Sequence, residues 1–375
     1  MNTIPEQISR RFKFWSFFTI LTVVLSHSYN LNIRYLQPWT TPNEPLTITT
    51  FAEYIFANGL FRFTMPLLFA ISGYLYAMKD EVPNNIRIKK RVKALLIPFL
   101  IWSAVGIIMV YLLEMIPTTK LLISTTHIAM MNEAKPLLHN YQWYDFIIRW
   151  LLAPISYQLW FIQVLFFYNI GYPSIKKCVL HKTGKWIFFG IAIFMWLFTL
   201  NVFVIEGEGL LFFSLGVWLQ KTNFDIQKPK RWLNPMWWGI LFLLLNIIKS
   251  FLAFRVLNIH DNMLYPIINF MMKFSVFAGL VFAWYSSRSI ALYIADRKWF
   301  INASIYTFFI YAAHAPLVAI GIDVILNFLY PMIGYRLGAF ILWPAMLIFG
   351  LMLIGFIIRK VFPSFFRIIT GGRGF

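Results

Sequence analysis

Two histidines stand where the surrounding chain is hydrocarbon. His27 closes the run "FWSFFTILTVVLSHSYN", and His314 interrupts "IYTFFIYAAHAPLVAI". An imidazole with its ordinary pKa of about 6.5 takes a proton near neutral pH, which suits general-base chemistry on a hydroxyl. The same ring can also serve as a hydrogen-bonding strut between helices. Ionisable groups inside an apolar span are costly, and they tend to line functional cavities. Arg62, in "LFRFTMPLLFAISGYLYA", reads either as an interfacial anchor with a snorkelling stem or as a donor to a developing oxyanion. Glu206 and Glu208, in "VIEGEGLLFFSLG", form a solvated turn or orient an imidazole, and Asp323 is a further candidate of that sort. "RIKKRVKALLIPFLIW" gathers Arg87, Lys89, Lys90, Arg91 and Lys93. Such a cluster holds anionic lipid at about 1 kcal/mol per residue, or receives a polyanionic cytosolic ligand.

The elements that position these groups follow from composition. Of 375 residues, 60% are hydrophobic and 13% charged, with a mean hydropathy of +0.68. A soluble domain carries roughly 25% charged residues to cover its surface. The chain therefore reads as an all-α polytopic membrane protein, because only helices and closed barrels satisfy their backbone in lipid and the alternating strands of a barrel are missing. The formal charge of +19 does not make it a nucleic-acid binder, since the basic residues fall in short bursts between apolar runs. Cys178 has no partner for an internal disulfide. The apolar run after the basic N-terminus has no small-residue cleavage site behind it, so it is expected to remain as a first span.

Ten apolar segments are expected to cross, near 14–34, 60–78, 94–113, 158–175, 186–205, 209–220, 236–257, 264–285, 300–325 and 336–358. The shortest, 209–220, rises roughly 18 Å against a hydrocarbon core of about 30 Å. With both termini cytoplasmic, 24 of the 33 Lys and Arg residues face inside, as topology rules require. His27 then lies thirteen residues past Phe14 and His314 thirteen past Ile301, each roughly 20 Å from the inner edge. The expectation is that the two rings meet in a shielded chamber reached from the basic rim. The connection at 114–157 carries His127 and His139 and would lie outside. Residues 1–375 read as a single integral-membrane domain with no separate soluble domain and no metal-ligand cluster.

Several stretches, in order, resemble the membrane-bound acyltransferase 3 family: "TILTVVLSHS", "RFTMPLLFAISGYLYA", "KKRVKALLIPFLIW", "YQLWFIQVLFFY" and "NASIYTFFIYAAHAPL", with "EGLLFFSLGVWL" like the family's sixth span. The likeness covers nearly the whole chain. It implies a ten-span O-acyltransferase of the plasma (inner) membrane that modifies cell-surface glycans, with His27 as the catalytic residue. Arg62 matches a basic position of the family, and the basic stretch before Pro98 matches its basic motif. Ser16 stands where the family often has an arginine, with Lys13 as a possible substitute, and Gln163 replaces another. A fused hydrolase-like domain is not expected, because the chain ends at Phe375, soon after the last segment.

On this reading the co-substrate is acyl-CoA, most simply acetyl-CoA, bound through Arg87, Lys89, Lys90, Arg91 and Lys93. The acceptor is a hydroxyl of a surface or lipid-linked saccharide. His27 is the base, Glu208 its neighbour, and Arg62 or His314 stabilises the oxyanion. An acyl-histidine intermediate also fits. From the residues alone a rival stays open, a transporter or flippase in which His27 and His314 relay protons.

Overall fold

The computed structural model describes residues 4–32, 36–257 and 259–374; Arg34 and the end of the first apolar segment lie outside them. The described chain is almost wholly helical. After α1 (Glu6–His27), α2 (Ile48–Ile55) passes through a π-helical turn at Phe56–Leu60 towards α3 (Thr64–Met78). A second π-helical turn, Val92–Leu96, joins α4 (Asn84–Arg91) to α5 (Ile97–Glu114). Next come α6 (Pro117–Thr126), α7 (Trp143–Leu151), α8 (Trp160–Ile170), α9 (Tyr172–Leu180) and α10 (Gly184–Leu197). A two-residue hairpin, β1 (Asn201–Val202) with β2 (Ile205–Glu206), leads into α11 (Gly207–Lys221). The chain continues through α12 (Pro235–Ala253), α13 (Asp261–Ser286), α14 (Arg288–Ala295) and α15 (Lys298–Ser304). It closes with α16 (Thr307–Ala313), α17 (Leu317–Leu329), α18 (Tyr335–Val361) and α19 (Pro363–Ile369).

Five helical runs among the described residues are long and apolar enough to cross a membrane: Ile48–Met78, Asn84–Glu114, Pro235–Ala253, Asp261–Ser286 and Tyr335–Val361. Two bent pairs, α9 with α10 at 118° and α16 with α17 at 73°, bring the figure to seven. The structure redraws three expected segments. The run at 60–78 begins at Ile48, so Arg62 does not open it but lies fourteen residues, roughly 21 Å, along it. The run at 300–325 is broken between Ala313 and Leu317, and His314 sits in the break. A proline there cannot donate to the helical ladder, which explains why the run does not continue straight. The connection at 114–157 is folded, with Val110, Ile123, Leu138 and Ile155 in a common apolar core.

Two compact units are present, Met1–Ile86 with Phe167–Ile301, and Arg87–Phe166 with Asn302–Phe375. In the first, α3 and α11 make the closest helix pair. A Cβ on Gly73 would meet the Phe213 carbonyl oxygen at 2.0 Å, and one on Gly216 would meet that of Ala70 at 2.0 Å. Only glycine allows each backbone to approach the other this closely. At one end the pair is clamped by Asp80, which bonds Lys176 at 2.5 Å and Lys221 at 2.7 Å. Burial alone would push the Asp80 carboxyl up, but the two ammonium groups outweigh it and hold the carboxyl down at about 2. In the second unit α5, α6 and α7 pack together and α17 pairs with α18. Glu114 accepts from His139 Nδ1 at 2.7 Å and from the backbone of Leu138 at 2.9 Å.

Candidate active site

In the first unit, the π-helical turn before Arg62 organises a cluster of charges. Asn58, in that turn, is fully buried. Its side-chain oxygen accepts from Arg62 Nε at 2.9 Å, and its backbone oxygen accepts from the ammonium of Lys249 on α12. Arg62 also donates to the Leu36 carbonyl. Lys249 is fully buried, with its ammonium 5.4 Å over the ring of Tyr54.

The acidic side of the cluster comes from the start of α11. Glu206 caps that helix, accepting from the Gly209 amide at 2.6 Å, and its backbone is tied in both directions to the Tyr168 hydroxyl. Glu208 lies in the first turn, where the helix dipole favours a carboxylate. Its Oε2 accepts from Trp196 Nε1 at 3.3 Å. The face of the same indole carries the Lys273 ammonium at 5.4 Å. Glu208 acts electrostatically on both Arg62 and Lys273, and Glu206 acts on Lys273 as well. Three basic side chains, Arg62, Lys249 and Lys273, and two acidic ones, Glu206 and Glu208, thus stand near the π-helical turn and the start of α11. Glu208 is half-buried among cations rather than in a solvated loop.

His27 is the half-buried last residue of α1. Below it, Thr22 donates to Thr64 at 3.5 Å, which joins α1 to the start of α3 beside Arg62. Beyond it, the Asn30 amide donates to Glu53 of α2 at 3.3 Å. The segment carrying His27 is therefore fixed on both sides to the helical run that holds Arg62. Lys13 is exposed; the buried cation on the lower part of α1 is Arg11, whose guanidinium lies 3.8 Å over the Trp284 ring.

His314 belongs to the second unit and is fully buried. Its Nδ1 is 3.1 Å from the Ile310 carbonyl, which can only accept, so Nδ1 carries the proton and Nε2 the lone pair. Gln158 stabilises the break around it by donating to the carbonyls of Ala312 at 2.8 Å and Ala315 at 3.2 Å. Helix ends leave such carbonyls without internal partners. Tyr311 donates to the Gln158 carbonyl at 2.7 Å, and its ring centroid is 6.4 Å from that of His314. Asp323 is half-buried on α17.

The basic run lies in the same unit and is not uniform. Lys89, Lys90 and Lys93 are exposed, Arg91 is half-buried and Arg87 is buried. A residue the sequence reading passed over joins it. Arg373, in the C-terminal "GGRG" turn, donates to the Ala94 carbonyl at 2.7 Å and stacks 4.3 Å over Phe308. Burial, and then the like charge of Arg91, push the Arg373 guanidinium down to about 10. Tyr311 also acts on it. Arg91 and Tyr311 thus both act electrostatically on Arg373, and Tyr311 in turn lies beside His314.

The sequence reading also passed over Lys249 and Lys273. The signal was present, since each is a lysine inside an apolar helix, "FLLLNIIKSFLAF" and "NFMMKFSVFAGL". No curated protein and no solved structure matches the chain. The acyltransferase 3 family model, described as an acyltransferase domain, matches residues 17–359. That match takes in His27, the charge cluster, most of the basic run's surroundings and His314, and leaves only the two ends of the chain outside. The chain therefore belongs to the acyltransferase 3 family and is a membrane acyltransferase acting on groups other than amino-acyl groups.

Proposed function

We propose that this enzyme transfers an acetyl group from cytosolic acetyl-CoA to a hydroxyl of a cell-surface or lipid-linked saccharide. The observation that carries the reading is the family match over residues 17–359. The donor assignment is supported by the basic run, whose exposed Lys89, Lys90 and Lys93, with Arg91, suit the phosphates of coenzyme A. The buried Arg87 serves as a structural neighbour of that surface rather than as a contact.

His27 takes the proton from the acceptor hydroxyl as the oxygen attacks the thioester carbonyl. Arg62, fixed by Asn58, stabilises the oxyanion of the tetrahedral intermediate. The C–S bond then breaks, and the proton held by His27 passes to the leaving thiolate. Glu208 balances the cations around Arg62 and keeps that guanidinium in place. His314, protonated on Nδ1, has no proton to donate from Nε2, which leaves the oxyanion to Arg62. Ten crossings, cytoplasmic termini and the plasma (inner) membrane complete the reading, supported by the 24 of 33 basic residues that this layout puts inside.

The test uses protein purified into nanodiscs, labelled acetyl-CoA and surface glycan from the host, with mass spectrometry of the glycan. Wild type is expected to leave acetyl ester on the glycan and His27→Ala to leave none. An equal rate in His27→Ala removes the base. Solute movement across vesicles without any acyl donor would mean a transporter instead.

A further inference from the structure

Beside the charge cluster of the first unit lies a cavity of about 580 Å³, formed by the segment after α1 and the first three turns of α13. That size is within the usual range for small-molecule sites, roughly 300–1,000 Å³. Its lining combines two aromatic rings, Trp39 and Tyr265, with uncharged hydrogen-bonding groups on Gln37, Thr40, Thr41 and Asn269. Flat rings beside amides and hydroxyls suit a ligand that presents both C–H faces and hydroxyl groups. A polyanion would find no charged side chain among the lining residues.

The wall is built, not incidental. The amide and hydroxyl of Thr40 both donate to the Gln37 carbonyl, at 3.0 and 2.8 Å, closing a tight turn. Tyr54 of α2 donates to the Thr40 carbonyl at 2.7 Å and pins that turn from behind. Pro38 and Thr40 are buried, while Trp39 between them is 38% exposed. A rigid turn therefore presents one tryptophan outward. Across the cavity, Asn269 donates from Nδ2 to the Leu197 carbonyl at 2.8 Å and its Oδ1 is buried, so this residue fixes the wall.

The cavity also leads to the chemistry. The carbonyl next to its wall, that of Leu36, accepts from Arg62. Tyr54, which pins the wall, lies under the Lys249 ammonium. Asn269 is one helical turn before Lys273 on α13. Every element of the cavity is thus attached to a member of the charge cluster.

We infer that this cavity is the acceptor site, in which a sugar ring stacks on Trp39 and is held through its hydroxyls by Gln37 and Thr41. The inference rests on the proposed saccharide acceptor and adds where that saccharide binds. Stacking on an aromatic ring is a binding interaction present before and after the reaction, so the tryptophan sets acceptor affinity rather than the chemical step.

The probe is total surface polysaccharide stripped from the host by mild acid, titrated against protein in nanodiscs at saturating acetyl-CoA. Trp39→Ala is expected to raise the KM for polysaccharide about tenfold while kcat and the KM for acetyl-CoA stay within about twofold. Gln37→Ala should raise it less, and Trp39→Phe should restore most of the affinity. Both replaced side chains are exposed, so folding is not at stake. An unchanged KM for polysaccharide in both alanine variants overturns the inference and leaves the saccharide acyltransferase reading intact. Failure of wild type itself to acetylate the polysaccharide removes that reading, and this inference with it.

Discussion

The ammonium of Lys249, near the C-terminal end of α12, donates to the backbone carbonyl of Asn58, in the π-helical turn that precedes Arg62. A π-helical turn takes its carbonyls off the regular ladder, and such turns recur at functional sites. Here the displaced residue serves twice, because the Asn58 side chain also holds Arg62 at 2.9 Å. Replacing Lys249 by methionine leaves a buried carbonyl without its donor, which costs about 1–3 kcal/mol. The expected result for Lys249→Met is a lower melting temperature in nanodiscs and a fall in kcat of roughly tenfold, as Arg62 loses its support. Asn58→Ala should do the same through the other bond. Normal kcat in both variants would mean that Arg62 needs no such support.

Glu208 and Lys273 meet the same Trp196 indole, one at its N–H and the other over its face. Removing either charge alone leaves its partner buried without compensation. Removing both restores the balance. Glu208→Gln and Lys273→Met should therefore each destabilise the protein, while the double variant should lose less than the sum. The coupling expected from a double-mutant cycle on unfolding is about 1–3 kcal/mol. Strictly additive losses would show that the two charges do not act on one another.

Much of this architecture is legible in the composition. The apolar runs fold largely as helices, because such runs have few other ways to satisfy their backbone in lipid, but the expected segment 186–205 ends in the β1–β2 hairpin, and five to seven runs among the described residues are long and apolar enough to cross. Where the sequence misled, the cause is physical. Thr49, Thr50, Glu53 and Asn58 lower the hydropathy of the run at Ile48–Met78, so its first third looked like a loop and Arg62 looked interfacial. Those polar residues are tolerated because they are used: Thr50 closes a capping box with Thr47, and Glu53 holds the Asn30 amide. Lys249 and Lys273 were absorbed into a count of charges by side, which asks where a cation lies along the chain and not which face of its helix carries it. Arg373 left no local signal at all. Its role comes from a glycine turn that folds back onto Ala94, far away in sequence.

Asp80 offers a test by pH. Its folded carboxyl titrates at about 2, below the ordinary value of 3.8, because Lys176 and Lys221 outweigh the effect of burial. A depressed carboxyl stabilises the fold fully above its unfolded pKa and loses that contribution as pH falls towards the folded value. The window is therefore about pH 4 down to about 2, and the contribution is on the order of 2 kcal/mol. Asp80→Asn should be less stable than wild type at neutral pH, and the gap should close across that window. A gap that persists unchanged to pH 2 would assign the loss to packing rather than charge.

Arg91 acts as a like charge on Arg373 in the second unit, and the Arg373 guanidinium is fixed by the Ala94 and Thr370 carbonyls and the face of Phe308. Juxtaposed guanidinium groups repel, and an anion bound to both converts that repulsion into affinity. If the donor is acetyl-CoA, its phosphates are the natural anion. Arg373→Ala should then raise the KM for acetyl-CoA about tenfold with little change in kcat, and Arg373→Lys should recover only part of it, since an ammonium lacks the planar fork. Raising salt should weaken wild type more than Arg373→Ala, because the variant has less electrostatic attraction to lose. The Arg91→Ala, Arg373→Ala pair should fall short of the product of the single effects, as expected when two groups share one anion. Equal KM for acetyl-CoA in wild type and Arg373→Ala would confine this arginine to tying the C-terminal turn to the π-helical turn at Val92–Leu96.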